Sequence, residues 1–490
     1  WKLHNTATKS FAKAAPELIA YIVENEKPYT EILTADYTMV NPRLNEYYRA
    51  EATFNDPSDQ TEVVPAQLKG FMLRDETLTQ DYTETFGLEI FTEGPIITWP
   101  HAGILNDPAF LERYPSTATN RNRARSRWTQ YFFLDFDIEQ SAARTNDPAA
   151  LADKDNPTMK NPNCTVCHET MDPVAGAFQN YGDIGYYRDL WGGKDSLPDT
   201  YKWTENDDNS PYQEGDTWYR DMRTPGFYGD TVPDPDTSLQ WLAQKIISDD
   251  RFAVSAVKFW WPAIIGSAPV NAPQVSSDND YESKKAVYNA QSLYINSVAD
   301  NLRNHMNLKD TIVEIVTSEW FRSNSMTEQA FELHASNKSG KGRLLSPELL
   351  DKKTKAVFGL SWGEDYPEWD DYQRRSEFQD TYRLTYGGID SDGVINRAEE
   401  MTSLMSQVAL THAAEMACNV VINDFIKSDE DKLLFKGLTK YDSVDVVKNE
   451  VFSLSNNGPS KSAASTISVN VEKGNHILNI SYLNDWADFE

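Results

Sequence analysis

The chain has 490 residues, 40 % hydrophobic and 12 % aromatic, which suffices for roughly two to four domains with cores of their own. Its 75 acidic against 46 basic residues leave a net charge of −29, a surface that repels nucleic acid and anionic lipid and suits salt, divalent cations or basic partners. Three cysteines cannot staple so long a chain, and no apolar run is long enough to span a bilayer.

The chain opens Trp1-Lys2-Leu3-His4 with no visible signal peptide, and is expected to be a processed or partial chain. Residues 11–25 carry apolar side chains at helical spacing, and Asp107-Pro108 sets an N-cap with proline at the first helical position. Arg121, Arg123, Arg125 and Arg127 open a further helical stretch to about residue 136. Guanidinium groups pair bidentately with carboxylates, so these four arginines either neutralise a carboxylate-bearing ligand or form ion pairs with the chain's own acids, the plainer reading.

Cys164-Thr165-Val166-Cys167-His168 follows a polar turn at Lys160-Asn161-Pro162-Asn163. Cys-x-x-Cys-His is the spacing that lets two thioethers hold a c-type haem while the histidine binds its iron. Two other chemistries use paired cysteines. Zinc needs four ligands, and Cys418 stands alone in Met416-Ala417-Cys418-Asn419. A redox dithiol sits at a strand-to-helix junction rather than after a polar turn. Haem c is therefore the expected cofactor, held by Cys164 and Cys167 with His168 on the proximal side of the iron. Thioether bonds to haem are made outside the cytoplasm, so periplasmic, cell-surface or extracellular residence is expected.

Beyond the motif, a glycine-, proline- and aromatic-rich stretch runs to about residue 236, with Tyr186, Tyr187, Trp191, Trp203, Trp218, Tyr219 and Tyr228. Its aromatic content argues against a mobile linker and for packing over the haem or a partner. Helical patterning returns with Leu239, Leu242, Ala243, Ile246 and Ile247, then from Asp250 to a stop at Pro262. Further helices are expected over residues 285–305, 310–321, from Ser346-Pro347, and over 396–425. Ile467, Val469 and Val471 alternate, Gly474-Asn475 turns, and Leu478, Ile480 and Tyr482 alternate again, a β-hairpin. The expected fold is mainly α, a multi-helix c-haem protein with long irregular loops and a small C-terminal hairpin or the start of a β-sandwich. The expected divisions are residues 1–145, 146–236, 237–454 and 455–490. There is no internal repeat.

The run from Cys164 through Met171-Asp172-Pro173 and Asn180-Tyr181, with Gly185-Tyr186-Tyr187-Arg188 after it, resembles the haem segment of the large secreted planctomycete-type cytochrome c family. Tyr29-Thr30-Glu31-Ile32-Leu33, His101-Ala102-Gly103-Ile104-Leu105-Asn106-Asp107-Pro108 and Tyr386-Gly387-Gly388-Ile389-Asp390 are similar to its other segments, so that the resemblance spans residues 15–425, loosely outside these motifs. It implies an exported, mainly helical c-haem protein without an established reaction.

The second axial ligand decides between a closed electron-transfer site and an open one for oxygen or peroxide. Met171, three residues past His168, reads as core. His101, in the turn Trp99-Pro100-His101, is the favoured distal ligand among His101, His305, His334, His412, Met159 and Met222. A second metal is suggested by Asp390, Asp392, Asn396 and Glu399. With Gly388 as position one of a twelve-residue calcium loop they fall at three, five, nine and twelve, but position one lacks its carboxylate. The plainer reading is a helix start with acidic residues favoured by the macrodipole.

The sequence thus points to an exported mono-haem c-type cytochrome in electron transfer, with another cytochrome or an oxidoreductase as redox partner and neither nucleic acid nor a transmembrane segment involved. The rivals are a haem peroxidase or oxygenase, for which the chain's size argues, and a structural or binding subunit of an extracellular assembly.

Overall fold

A computed structural model describes residues 2–71, 81–82, 89–90, 96–116, 122–153, 157–181, 187, 223–274, 281–322, 344–363, 376–390, 394, 397–398, 400–439, 442–444 and 471–473. The chain divides into two compact units, Trp1–Arg322 and Ser323–Glu490. Helices dominate both, as the apolar periodicity predicts.

In the first unit the helices are α1 (Lys2–Glu24), α2 (Glu31–Thr34), α3 (Pro42–Tyr48), α4 (Pro108–Arg113), α5 (Arg123–Leu134), α6 (Ile138–Ser141), α7 (Pro148–Ala152), α8 (Pro157–Lys160), α9 (Pro162–Gly176), α10 (Ser238–Ile247), α11 (Asp250–Ile265), α12 (Tyr281–His305), α13 (Leu308–Thr317) and α14 (Glu319–Arg322). Short antiparallel ribbons fill the connections: β1 (Thr38–Val40) pairs with β2 (Val64–Ala66), β3 (Lys69–Phe71) with β6 (Ile96–Thr98), β4 (Asp81–Tyr82) with β5 (Glu89–Ile90), and β7 (Gly226–Phe227) with β8 (Asp230–Thr231). Asparagine or aspartate followed by proline starts α3, α4, α7 and α9, where the side chain accepts a backbone N–H and the proline occupies a position whose own N–H needs no partner.

One continuous core joins these elements. It reaches from Ala14, Leu18 and Ile22 on α1 through Leu105 and Leu111, Val174 and Phe178, and Leu242, to Val298 and Ile315. The boundaries expected at 145/146 and 236/237 therefore lie inside the first unit, because the apolar faces they would separate are packed on one another. Helix α5 is central, with α9 on one side and α11 on the other. A serine pins each contact: Ser126 Oγ donates to the Met171 carbonyl at 2.7 Å, and Ser255 Oγ on α11 donates to the Phe132 carbonyl at 2.8 Å. Where α2 meets the turn after His101, Gly103 has φ +55° and lies so close that a Cβ would fall 2.1 Å from the Ile32 carbonyl oxygen. Only glycine fits there.

Several helix boundaries differ from the sequence expectation. Pro262 does not end α11, which continues to Ile265 and stops at left-handed Gly266, whose N–H donates to the Pro262 carbonyl. A proline so near the C-terminus removes one ladder hydrogen bond and little else. The helix expected over 310–321 is broken at extended Ser318 into α13 and α14.

The second unit contains α15 (Pro347–Phe358) and α16 (Ser403–Phe425), and a ribbon of β9 (Asp442–Val444) with β10 (Val471–Lys473). Helix α16 starts at Ser403 rather than near 396 because Thr402 caps it, accepting the Met405 N–H at 3.2 Å. Trp362, Phe378, Tyr386, Met405, Val408, Met416 and Val420 form this unit's core. The Trp362 ring stacks on Tyr382 at 4.9 Å, and its Nε1–H donates to Glu415 at 2.7 Å. Strand β10 pairs with residues 442–444; the arm expected at 478–482 lies outside the described residues. Among the described residues no helix is long and apolar enough to cross a membrane.

Candidate haem-attachment site

Helix α9 carries the whole Cys-x-x-Cys-His motif in its first half. Asn161 caps it, accepting the Asn163 N–H at 3.0 Å, so that the polar turn before the motif fixes where the helix begins. Cys164 and Cys167 are both free thiols and half-buried, three positions apart and hence on neighbouring parts of one helix face. The Cys167 sulfur lies 3.9 Å from the Ile138 carbonyl of α6. Val166 between them is exposed.

His168 is tied down through one nitrogen. Its Nδ1 is 3.0 Å from Asp172 Oδ1, one turn further along α9. Asp172 is 0 % exposed, and Arg123 of α5 grips it with both arms, Nε to Oδ1 at 2.9 Å and Nη2 to Oδ2 at 3.1 Å. Burial pushes the Asp172 carboxyl up, but hydrogen bonds from His168 and Arg123 and the guanidinium charge outweigh it and hold the group below the usual carboxylate range. No described residue hydrogen-bonds Nε2, which is left for a ligand. The sequence marks Arg123 only as one of four arginines and Asp172 only as part of Met171-Asp172-Pro173, and does not pair them; the local signal is a carboxylate four residues after the motif histidine, on the same helical face.

The other arginines answer the question of what they neutralise. Arg127 pairs with Asp137 at 3.1 Å and also reaches Glu139, so the plainer reading, ion pairs within the chain, holds for Arg123 and Arg127. Arg125 is fully buried and serves carbonyls instead. Arg121 lies outside the described residues. So does most of the aromatic-rich stretch, but its described end does return to the site: β7 packs on α9, and Tyr228, beneath the Arg251 guanidinium at 4.4 Å, donates to Gln130 of α5 at 3.0 Å.

His101 is 9 % exposed and already employed. Its Nε2 accepts the Leu68 N–H at 2.9 Å, while its carbonyl accepts from Gln240 at 3.1 Å. Burial pulls the imidazole down to about 4, so it is neutral and serves as an acceptor. To bind iron it would have to release Leu68 or use Nδ1. His305 is exposed and accepts the Asn307 N–H through Nδ1, His412 packs against Trp362 and Phe378 in the second unit, and Met159 is on α8 beside α9. His334 and Met222 lie outside the described residues. Met171 is half-buried on α9.

Of the calcium-loop residues, Asp390 accepts the Val394 N–H at 2.9 Å. Asp392, Asn396 and Glu399 lie outside the described residues. Among the described residues no three His, Cys, Asp or Glu side chains converge as a bare metal ion requires.

Six residues after His101 in the chain, Asp107 adds a second pH dependence. It caps α4 through Oδ1, accepting the Ala109 N–H at 2.9 Å, and its carboxylate is buried, with the Thr38 hydroxyl nearby. Burial raises this carboxyl to about 7, against the opposing pull of the cap hydrogen bonds. A raised carboxyl favours the fold only while protonated, so its contribution is complete below about pH 4 and is lost as pH rises towards 7. The depressed His101 works the other way, since its contribution is present above about 6.5 and lost as pH falls towards 4. The two slopes cancel between these limits. Asp107→Asn keeps the cap and is expected to gain about 1–3 kcal/mol at pH 8, and to expose the His101 slope as a melting temperature that rises from pH 4 to 6.5, followed by circular dichroism. A variant whose melting temperature tracks the parent at every pH would mean that Asp107 does not titrate in this range.

A short helix presenting two free thiols and an imidazole fixed by a buried carboxylate defines a Cys-x-x-Cys-His helix-borne site. Residues 101–190, which span His101, the arginine helix and the whole motif, match the family described as PSCyt3, Protein of unknown function (DUF1588). No curated protein and no solved structure matches the chain.

Proposed function

We propose that this is an exported mono-haem c-type cytochrome whose role is electron transfer. The observation that carries the reading is the donor set of α9: two free thiols one helical turn apart, and a histidine whose Nδ1 is committed to Asp172 so that Nε2 is the ligating atom. Cys164 and Cys167 would form the thioethers, and His168 would hold the proximal side of the iron, which supplies the one-electron couple. The PSCyt3 family match over residues 101–190 supports the same reading. Because thioether attachment takes place outside the cytoplasm, a periplasmic, cell-surface or extracellular site follows, and the net charge of −29 suits a redox partner, cytochrome or oxidoreductase, with a basic docking face.

The visible spectrum of the dithionite-reduced protein before and after carbon monoxide tests the role. An unaltered low-spin spectrum is expected, with both iron faces occupied; a prompt shift would mean an open face and replace electron transfer by oxygen or peroxide chemistry. His101→Ala extends the test to the distal side. With Nε2 spent on Leu68, the variant is expected to lose about 1–3 kcal/mol of stability and to keep the parent's ferric spectrum, whereas a changed spectrum would put this imidazole on the iron.

A further inference from the structure

A buried ion pair is a poor stabilising device, because desolvating both charges cancels most of their attraction and an apolar pair of the same volume serves as well. The Arg123–Asp172 pair is of this kind, with the carboxylate wholly buried and the guanidinium nearly so. Its position explains it better than its energy does. Asp172 Oδ1 is shared between Arg123 Nε at 2.9 Å and His168 Nδ1 at 3.0 Å, and Oδ2 is taken by Arg123 Nη2 at 3.1 Å. The carboxylate is thus oriented from α5 and in turn orients the one imidazole of the Cys-x-x-Cys-His motif. Ser126, three residues along α5, holds the Met171 carbonyl and keeps the two helices in register.

Resting on the haem reading above, we infer that Asp172 is a positioning residue that sets the redox potential of the site, with Arg123 as its counterweight. A carboxylate on Nδ1 fixes the tautomer with the proton on that nitrogen and makes Nε2 a stronger electron donor. A fixed negative charge behind the ligand favours ferric over ferrous iron, so Asp172 lowers the potential. Arg123 withdraws part of that charge and raises it. The two residues form one ion pair but act on the iron in opposite senses, which a purely structural role for the pair would not do.

The test is a spectroelectrochemical titration at pH 8 of the covalently loaded protein and its variants. Asp172→Asn keeps the shape and an acceptor oxygen but removes the charge, and is expected to shift the couple at least tenfold towards the reduced form, an increase of about 59 mV for one electron. Asp172→Glu is expected to restore most of the shift, and Arg123→Gln to move the potential below that of the parent. A folded, haem-bearing Asn variant with an unmoved potential overturns the inference. If that variant does not fold, Arg123→Gln decides, and a potential unchanged or raised in it overturns the inference equally. Absence of covalent haem from the parent protein would instead overturn the haem reading, and this inference with it.

Discussion

Cys164→Ala combined with Cys167→Ala is expected to abolish covalent haem while leaving α9 folded. The two outcomes separate because the thiols contribute little else: both are free, both are half-buried, and Cys167 makes only a long, weak S–H donation to the Ile138 carbonyl at 3.9 Å. Alanine is the better helix former, and the start of the helix is set upstream by the Asn161 cap and Pro162. Haem staining on a denaturing gel should therefore vanish, with far-ultraviolet circular dichroism close to that of the parent. Each single variant retains one thioether and should still stain. Stain persisting in the double variant would mean that the group is held elsewhere or is not a c-type haem, and the proposed function would fall with it.

How much of this was legible in the chain depends on how local each feature is. The Cys-x-x-Cys-His motif is read directly because its three side chains fall within one short stretch of one helix, and the same is true of the Asp107-Pro108 and Ser346-Pro347 starts, where cap and proline are neighbours. Helix ends were read less well. Thr402, not the acidic run before it, starts α16, and the strand at residues 471–473 takes a partner about thirty residues upstream. What no periodicity reveals is the pairing of distant residues. Arg123 reaches Asp172 across 49 positions and His101 reaches Leu68 across 33, so the counterweight to the motif carboxylate and the prior commitment of the favoured distal ligand both emerge only with the fold. The four arginines looked alike in sequence, yet the three that are described have three separate tasks: one on the motif carboxylate, one on the acids of α6 and its cap, and one wholly inside.

That last arginine should be the most costly single residue to remove from the first unit. Arg125 is 0 % exposed, and its guanidinium donates to the Tyr114 carbonyl at 3.0 Å, the Asn122 side chain at 2.9 Å, the Tyr181 carbonyl at 3.0 Å and the Leu111 carbonyl at 3.2 Å. These oxygens come from the end of α4, the entry to α5 and the turn after α9. Arg125→Ala would leave them buried without donors beside a cavity the size of the lost side chain, and each effect is costly by itself. A loss of about 3–5 kcal/mol is expected, seen as a lower urea midpoint with an unchanged slope. Arg125→Lys should recover little, because an ammonium cannot span the fork. Arg144→Ala is the control, since it breaks an exposed pair with Glu139 and should cost at most about 1 kcal/mol. Equal midpoints for the two alanine variants would mean that the carbonyls around Arg125 find other donors and that the turn after α9 is held by apolar packing alone. The expected gap between them would make Arg125 the tie that keeps the end of α9 fixed to α4, and with it the platform from which Asp172 meets His168.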